Sequence, residues 1–211
     1  AVMNPGDEVL YPNPGYPIYE SQIEYFGGVA KAYRYLPSST GFSIDIDQIK
    51  ASITPKTTAI IYNDLQNPIG AESTDAEREA IAELAIKHNL WVLSDEAYFE
   101  MRYSGTSKSI ASLPGMLERT VILYTFSKKF AMTGWRLGAS IAPVEVSNMI
   151  AKLNTNDESC TTHFVQYGGV EGLTGDQSGT AVMLDTLRER RDVAVNMLNA
   201  MPGVSVHSPE A

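Results

Sequence analysis

Residues 57–98 read TTAIIYNDLQNPIGAESTDAEREAIAELAIKHNLWVLSDEAY, and this stretch decides the fold. It opens on Thr57–Tyr62, a β-branched, apolar run of the kind that forms a strand buried on both faces. It continues through Thr74–His88, where Ile81, Leu84, Ala85 and His88 recur at helical spacing behind Ser73 or Thr74 as cap. It closes on Leu90–Ser94 (LWVLS), a second buried strand. Strand–helix–strand alternation implies right-handed crossovers and parallel pairing, with helices covering both faces of the sheet.

Outward from this unit the alternation persists. Downstream, Thr120–Tyr124 (TVILY) is a third apolar strand and Leu137–Ala142 a further one. Upstream, Glu8–Tyr11 and Ala32–Leu36 read as strands. Tyr19–Phe26 reads as a helix stopped by Gly27-Gly28, and Ile44–Ser52 as a short helix with Asp45 near its start. Beyond Pro143 the pattern is helical over Val144–Asn154, Thr162–Leu173 and Gln177–Ala200. The expected fold class is α/β, a mostly parallel sheet with helices on both faces. Ala1–Met3 reads as the last turn of a helix and Val204–Val206 as the start of a strand, so both ends are expected to be cuts in mid-pattern.

Composition narrows the function classes. With 211 residues and 44% hydrophobic content the chain can bury a real core, which excludes disorder as its main state. Twenty-five acidic residues against 16 basic ones give a net charge of −9, a poor basis for nucleic-acid binding. The densest basic cluster, Arg188, Arg190 and Arg191, reads as a solvated helix face. A single cysteine, Cys160, excludes an intramolecular disulfide and a cysteine-based metal site. Cys160 is expected to be a packed thiol near a helix start, with His163 packing or capping there, and His88 to end a helix where a cation suits the dipole. No apolar run approaches the roughly 18 residues of a membrane span, and no signal-peptide pattern opens the sequence, so a cytoplasmic location is expected.

In a parallel sheet of this kind, ligands bind beyond the carboxyl ends of the strands. After TTAIIY comes Asn63-Asp64-Leu65-Gln66-Asn67-Pro68-Ile69-Gly70; after LWVLS comes Asp95-Glu96-Ala97-Tyr98; after TVILY comes Thr125-Phe126-Ser127-Lys128-Lys129. Each has an ordinary reading alone: a turn, a helix cap, a solvated lysine. Together they bring an amide, a carboxylate, a phenol and a hydroxyl-flanked lysine to one sheet edge. Pyridoxal phosphate chemistry uses such a set. A lysine amine forms a Schiff base with the cofactor aldehyde and later carries the substrate α-proton. A carboxylate keeps the pyridine nitrogen protonated, an amide and a phenol hold the ring oxygen, and hydroxyls with an arginine hold the phosphate.

Residues 125–138, TFSKKFAMTGWRLG, resemble the lysine signature of the class I/II aminotransferases, fold-type-I pyridoxal-phosphate enzymes similar to aspartate aminotransferase. The resemblance makes Lys128, not Lys129, the Schiff-base lysine, and makes Arg136 the phosphate-binding arginine with Ser127 and Thr125 as hydroxyl partners. Thr125 replaces a more usual serine and keeps the hydroxyl. Asn67-Pro68-Ile69-Gly70 is similar to the family's N-P-T-G, departing at Ile69, and implies Asn67 as the amide near the ring oxygen. Ser94-Asp95-Glu96-Ala97-Tyr98 matches D-E-x-Y, implying Asp95 as partner of the pyridine nitrogen and Tyr98 as the phenol. Residues 11–19, YPNPGYPIY, resemble the segment that stacks an aromatic ring on the cofactor, and Tyr16 fits that role.

The resemblance further implies that residues 1–175 are the core of the large pyridoxal-phosphate-binding domain, without its N-terminal part. Residues 176–211 would be the interdomain helix and the start of a small C-terminal domain. A glycine-containing phosphate loop and one strand would precede Ala1, and the arginine for the substrate carboxylate would follow Ala211. The 211 residues alone are therefore expected to be inactive. The expected reaction moves an amino group between an amino acid and a 2-oxo acid in a full-length homodimer, with no nucleic-acid or membrane partner. A carbon–sulfur lyase or synthase on the same scaffold, and a ligand-sensing domain of a regulator, are the alternatives left open.

Overall fold

In the computed structural model, which describes residues 1–38 and 41–211, seven strands among the described residues form one sheet. They are β1 (Glu8–Asn13), β2 (Val29–Ser38), β3 (Gly41–Ile44), β4 (Thr57–Asn63), β5 (Trp91–Asp95), β6 (Thr120–Thr125) and β7 (Gly138–Ile141). Their spatial order is β3-β2-β1-β4-β5-β6-β7. The five central strands run parallel, and β3 and β7 add antiparallel edges. The helices are α1 (Ile18–Tyr25), α2 (Ile46–Ser52), α3 (Asp75–Lys87), α4 (Val144–Asp157), α5 (His163–Thr174) and α6 (Ser178–Asn199).

The strand alternation divides the core into two layers. Ile60 and Tyr62 of β4 face Ile49 of α2 and Ile81, Ala82, Leu84 and Ala85 of α3. Ala59 and Ile61 face the other way, toward Tyr19 and Ile23 of α1. Helices thus cover both faces of the sheet, as the unalternated apolar strands require. Two helix caps are formed, the first of them at Thr74, one of the two capping candidates (Ser73 or Thr74) in the sequence. The Thr74 hydroxyl accepts from the Glu77 amide at 3.2 Å while Glu77 Oε2 accepts from the Thr74 amide at 2.8 Å, a reciprocal capping box on α3. Asp45 caps α2 by accepting from the Gln48 amide at 2.9 Å.

Several expectations need correction. Ala1–Met3 is not helical. Pro5 disfavours helical geometry at Asn4, and the Asn4 amide donates instead to Asp7 Oδ2 at 2.8 Å, while Met3 packs beside α1. Val204–Val206 forms no strand, because the Asn199 side chain takes both polar groups of Val206: Nδ2 donates to its carbonyl at 3.0 Å and Oδ1 accepts from its amide at 2.8 Å. Strand β3 carried no sequence signal; it is four residues long and is built by pairing with β2. Arg191 is not a free surface charge, since its guanidinium lies 4.3 Å from the centre of the Tyr103 ring and donates to the Pro209 carbonyl. Cys160 is exposed rather than packed, because it lies in the irregular link between α4 and α5. His163 opens α5 and meets Tyr167 edge-on, and His88 is the C-cap of α3. Among the described residues, no helix is long and apolar enough to cross a membrane.

Candidate functional site

Strand register levels the site. Asn63 pairs with Asp95, and Asp95 with Leu123, so β4 and β5 end level and β6 runs on past them to Thr125. The polar residues that follow each strand therefore leave from one edge, where parallel sheets hold ligands.

Asp95 is the last residue of β5, and both carboxylate oxygens are engaged. Oδ1 accepts from the Ala97 amide at 3.1 Å, and Oδ2 accepts from the Tyr19 hydroxyl. Burial and the Asp95 charge push the Tyr19 phenol far up, so it stays protonated and donates. Behind Asp95, Asn63 is 2% exposed and clamps two strand ends. Its Nδ2 donates to the Asp95 carbonyl at 2.9 Å, and its Oδ1 accepts from the Asn67 amide at 3.1 Å. Asn67 is thus held by the residue that ends β4. The loop bearing it is tied further by Gln66, whose Nε2 donates to the Pro14 carbonyl at 2.6 Å, and by Asp64, whose Oδ1 accepts from the Ser73 amide at 2.8 Å.

Next to Asp95, Glu96 is buried, and burial raises its carboxyl above the usual range against the hydrogen bonds from Ser109 and Ser94. This pair of serines fixes the turn that carries Tyr98 away from β5. The amine of Lys128 lies 5.4 Å from the centre of the Tyr98 ring. Its neighbour Lys129 is ion-paired with Glu100, which also accepts from the Tyr124 hydroxyl at 2.7 Å. The two adjacent lysines are therefore distinct: Lys129 is committed to a carboxylate, and Lys128 faces the phenol.

Beyond β6, Thr125, Ser127, Gly134 and Arg136 line a cavity of about 740 Å³. Thr125 Oγ1 accepts from the Ser127 amide at 3.2 Å, and the Thr133 hydroxyl donates to the Ser127 carbonyl at 3.2 Å. Arg136 has φ +55°, a left-handed conformation costing about 1–2 kcal/mol for a residue with a Cβ. It is exposed, and its guanidinium donates to the Thr133 carbonyl at 3.1 Å. Tyr16 is half exposed and meets Tyr19 edge-on, ring centres 5.9 Å apart; both line a second hollow with Asp95. Asn67 and Tyr98 line a third.

The structure therefore groups Lys128 with Tyr98, Thr125 with Ser127 and Arg136, and Tyr16 with Asp95 through Tyr19. It does not gather all eight into one cavity. Sequence reasoning missed Asn63 and Tyr19. Asn63 carried a readable signal, an amide at a strand end; Tyr19 carried none, since its partner lies 76 residues away. As a donor set, one carboxylate, one half-buried amine, an amide, a phenol, two hydroxyls and a guanidinium fit pyridoxal phosphate. The cavity beside Arg136 has room for a group of that size.

Comparison with known proteins agrees with the fold. The family model "Aminotransferase class I and II" matches residues 1–211. The chain is 39% identical to an aspartate aminotransferase of Musicola paradisiaca, over 99% of this chain and 52% of that protein. It is 36% identical to an arginine–pyruvate transaminase of Pseudomonas aeruginosa, over 99% and 53%. Aspartate aminotransferase from Thermus thermophilus, solved with maleate, superposes with a TM-score of 0.91 at 31% identity, over 99% of this chain and 55% of that one. The chain spans about half the length of the curated relatives it matches. With the lysine signature, the level strand ends and a match along the whole sequence in agreement, this chain belongs to the class I and II aminotransferase family.

Proposed function

We propose that the protein takes part in pyridoxal-phosphate-dependent transfer of an amino group between an amino acid and a 2-oxo acid. The observation that carries this reading is that Asp95 closes β5 while Lys128 follows closely after the adjacent parallel strand β6, with Lys129 diverted to Glu100. When bound, the cofactor would supply an electron-accepting ring for the substrate carbon. The chain's residues supply the rest. Asp95 offers its carboxylate to a protonated ring nitrogen. Lys128 would hold the cofactor through Nζ and would carry the substrate α-proton on the same atom. Asn67 and Tyr98 hold the ring oxygen, Tyr16 covers the ring, and Thr125, Ser127 and Arg136 bind the phosphate.

In this reading, residues 1–175 form the core of a cofactor-binding domain and residues 176–211 lead into a second one. The lack of any buried residue along α6 supports the division. The working unit is a homodimer, a reading supported by the exposed apolar side chains Phe164, Tyr167, Val170 and Leu173 on α5, and the cytoplasm is its proposed location. Product analysis tests the reaction: an amino acid is supplied with pyridoxal phosphate, with and without a 2-oxo acid. Amino transfer predicts a new amino acid only when the oxo acid is present. Breakdown of the donor in its absence points to a lyase instead.

A further inference from the structure

Asp95 is held by Tyr19, the last residue of the YPNPGYPIY segment that leads out of β1, to which no motif assigns a role. We propose that Tyr19 is a positioning residue of the same site: its hydroxyl donates to Asp95 Oδ2 and fixes the carboxylate that meets the cofactor ring nitrogen. The proposal rests on the pyridoxal-phosphate reading above and deepens it.

Three observations carry it. First, Asp95 is gripped on both oxygens, by the Ala97 amide on Oδ1 and the Tyr19 hydroxyl on Oδ2. Each carboxylate oxygen has two lone-pair directions, so these donors set the orientation and still leave acceptor capacity for a protonated ring nitrogen. The amide comes from the local turn; among the described residues, Tyr19 ties the carboxylate to another element. Second, Tyr19 is itself immobilised. It is 6% exposed, on α1, in a cluster with Val9, Ile23 and Ile61. A donor with few free rotamers holds its acceptor at little entropic cost. Third, the Tyr19 ring meets Tyr16 edge-on at 5.9 Å. One phenol therefore contacts both the residue read as covering the cofactor ring and the residue read as pairing with its nitrogen. Helix α1 thereby sets the two positions together.

A double-mutant cycle with pyridoxal phosphate as probe tests this, read by equilibrium affinity and by the visible absorption of the bound cofactor. Tyr19→Phe is expected to weaken binding about tenfold, the effect of losing one charge-assisted hydrogen bond, and to shift the absorption band. In an Asp95→Asn background the same substitution should change affinity less than about twofold, because the charge it serves is gone. Equal losses in both backgrounds would mark Tyr19 as merely structural and overturn the proposal, as would wild-type affinity in Tyr19→Phe. A second measurement needs neither the cofactor nor a tyrosine variant. In cofactor-free protein, the 13Cζ resonance of Tyr19 should move on Asp95→Asn, and an unmoved resonance overturns the proposal. A wild-type protein that takes up no pyridoxal phosphate overturns the reading beneath it, whatever the resonance does.

Discussion

Asp95 stands at the end of β5 with its backbone carbonyl held by Asn63 and its carboxylate by Tyr19 and Ala97. Replacing it with Asn keeps the size and removes the charge. In the full-length, cofactor-loaded enzyme, Asp95→Asn should lower turnover by about a hundredfold or more, the range for removing one electrostatic stabiliser of the reacting charge. Steady-state kinetics would check this, and wild-type turnover would remove the electron-sink role of Asp95. Glu8 is a second residue whose environment makes a measurable claim. Its Oε2 accepts from Thr54 at 2.6 Å, from Lys31 at 3.0 Å and from Thr57 at 3.0 Å. The Thr54 hydrogen bond first, then Lys31, holds its carboxyl below the ordinary 4.5. A carboxyl lowered on folding stabilises the fold fully above its unfolded value and loses that contribution as pH falls through the folded one. Glu8→Gln should therefore lower the melting temperature at pH 7, and the gap from wild type should close toward pH 3. An unchanged gap at both pH values would remove Glu8 from the acid sensitivity of the fold.

Helix α3 shows how far elements follow from local sequence. Its cap was legible as Ser73 or Thr74 ahead of an apolar repeat, but the reciprocal partner Glu77 was not, and Glu77 does more than cap: its Oε1 accepts from the Ile44 amide at 2.6 Å and joins β3 to α3. Thr74→Ala should cost about 1 kcal/mol in a denaturant titration. Ile81, 1% exposed against Ile60 and Tyr62, should cost about 2–5 kcal/mol when cut to Ala, measured the same way. The strands β4, β5 and β6 and every helix could be placed to within a few residues because buried parallel strands and amphipathic helices write their periods into the sequence. What could not be read depends on distant partners. Strand β3 exists through its pairing with β2, and the Tyr19–Asp95 bond joins residues on separate elements. The lapse of Val204–Val206 from strand to irregular chain has the same cause, a side chain on α6 supplying hydrogen bonds that no neighbouring strand supplies. Arg136 was legible in identity but not in its left-handed backbone, which no composition signal encodes.

At the scale of the whole molecule, the sheet delivers each motif to one edge while leaving much apolar surface uncovered. Met149 and Leu153 on α4, Phe164 and Tyr167 on α5, and Val193 and Met197 on α6 are all exposed. Such a surface predicts self-association, so sedimentation velocity should show a weight-average mass that rises with concentration above 23.0 kDa. A strictly monomeric species over a wide concentration range would contradict that. The central claim is narrower, that the edge of this sheet presents Lys128 to pyridoxal phosphate. Its most direct test is to incubate the protein with pyridoxal phosphate, reduce with borohydride, digest and map the modified peptide by mass spectrometry. The account predicts a pyridoxyl label on Lys128, lost in Lys128→Ala, with Lys129 unlabelled beside Glu100. A label on Lys129, or a protein that takes up no label at all, would contradict it.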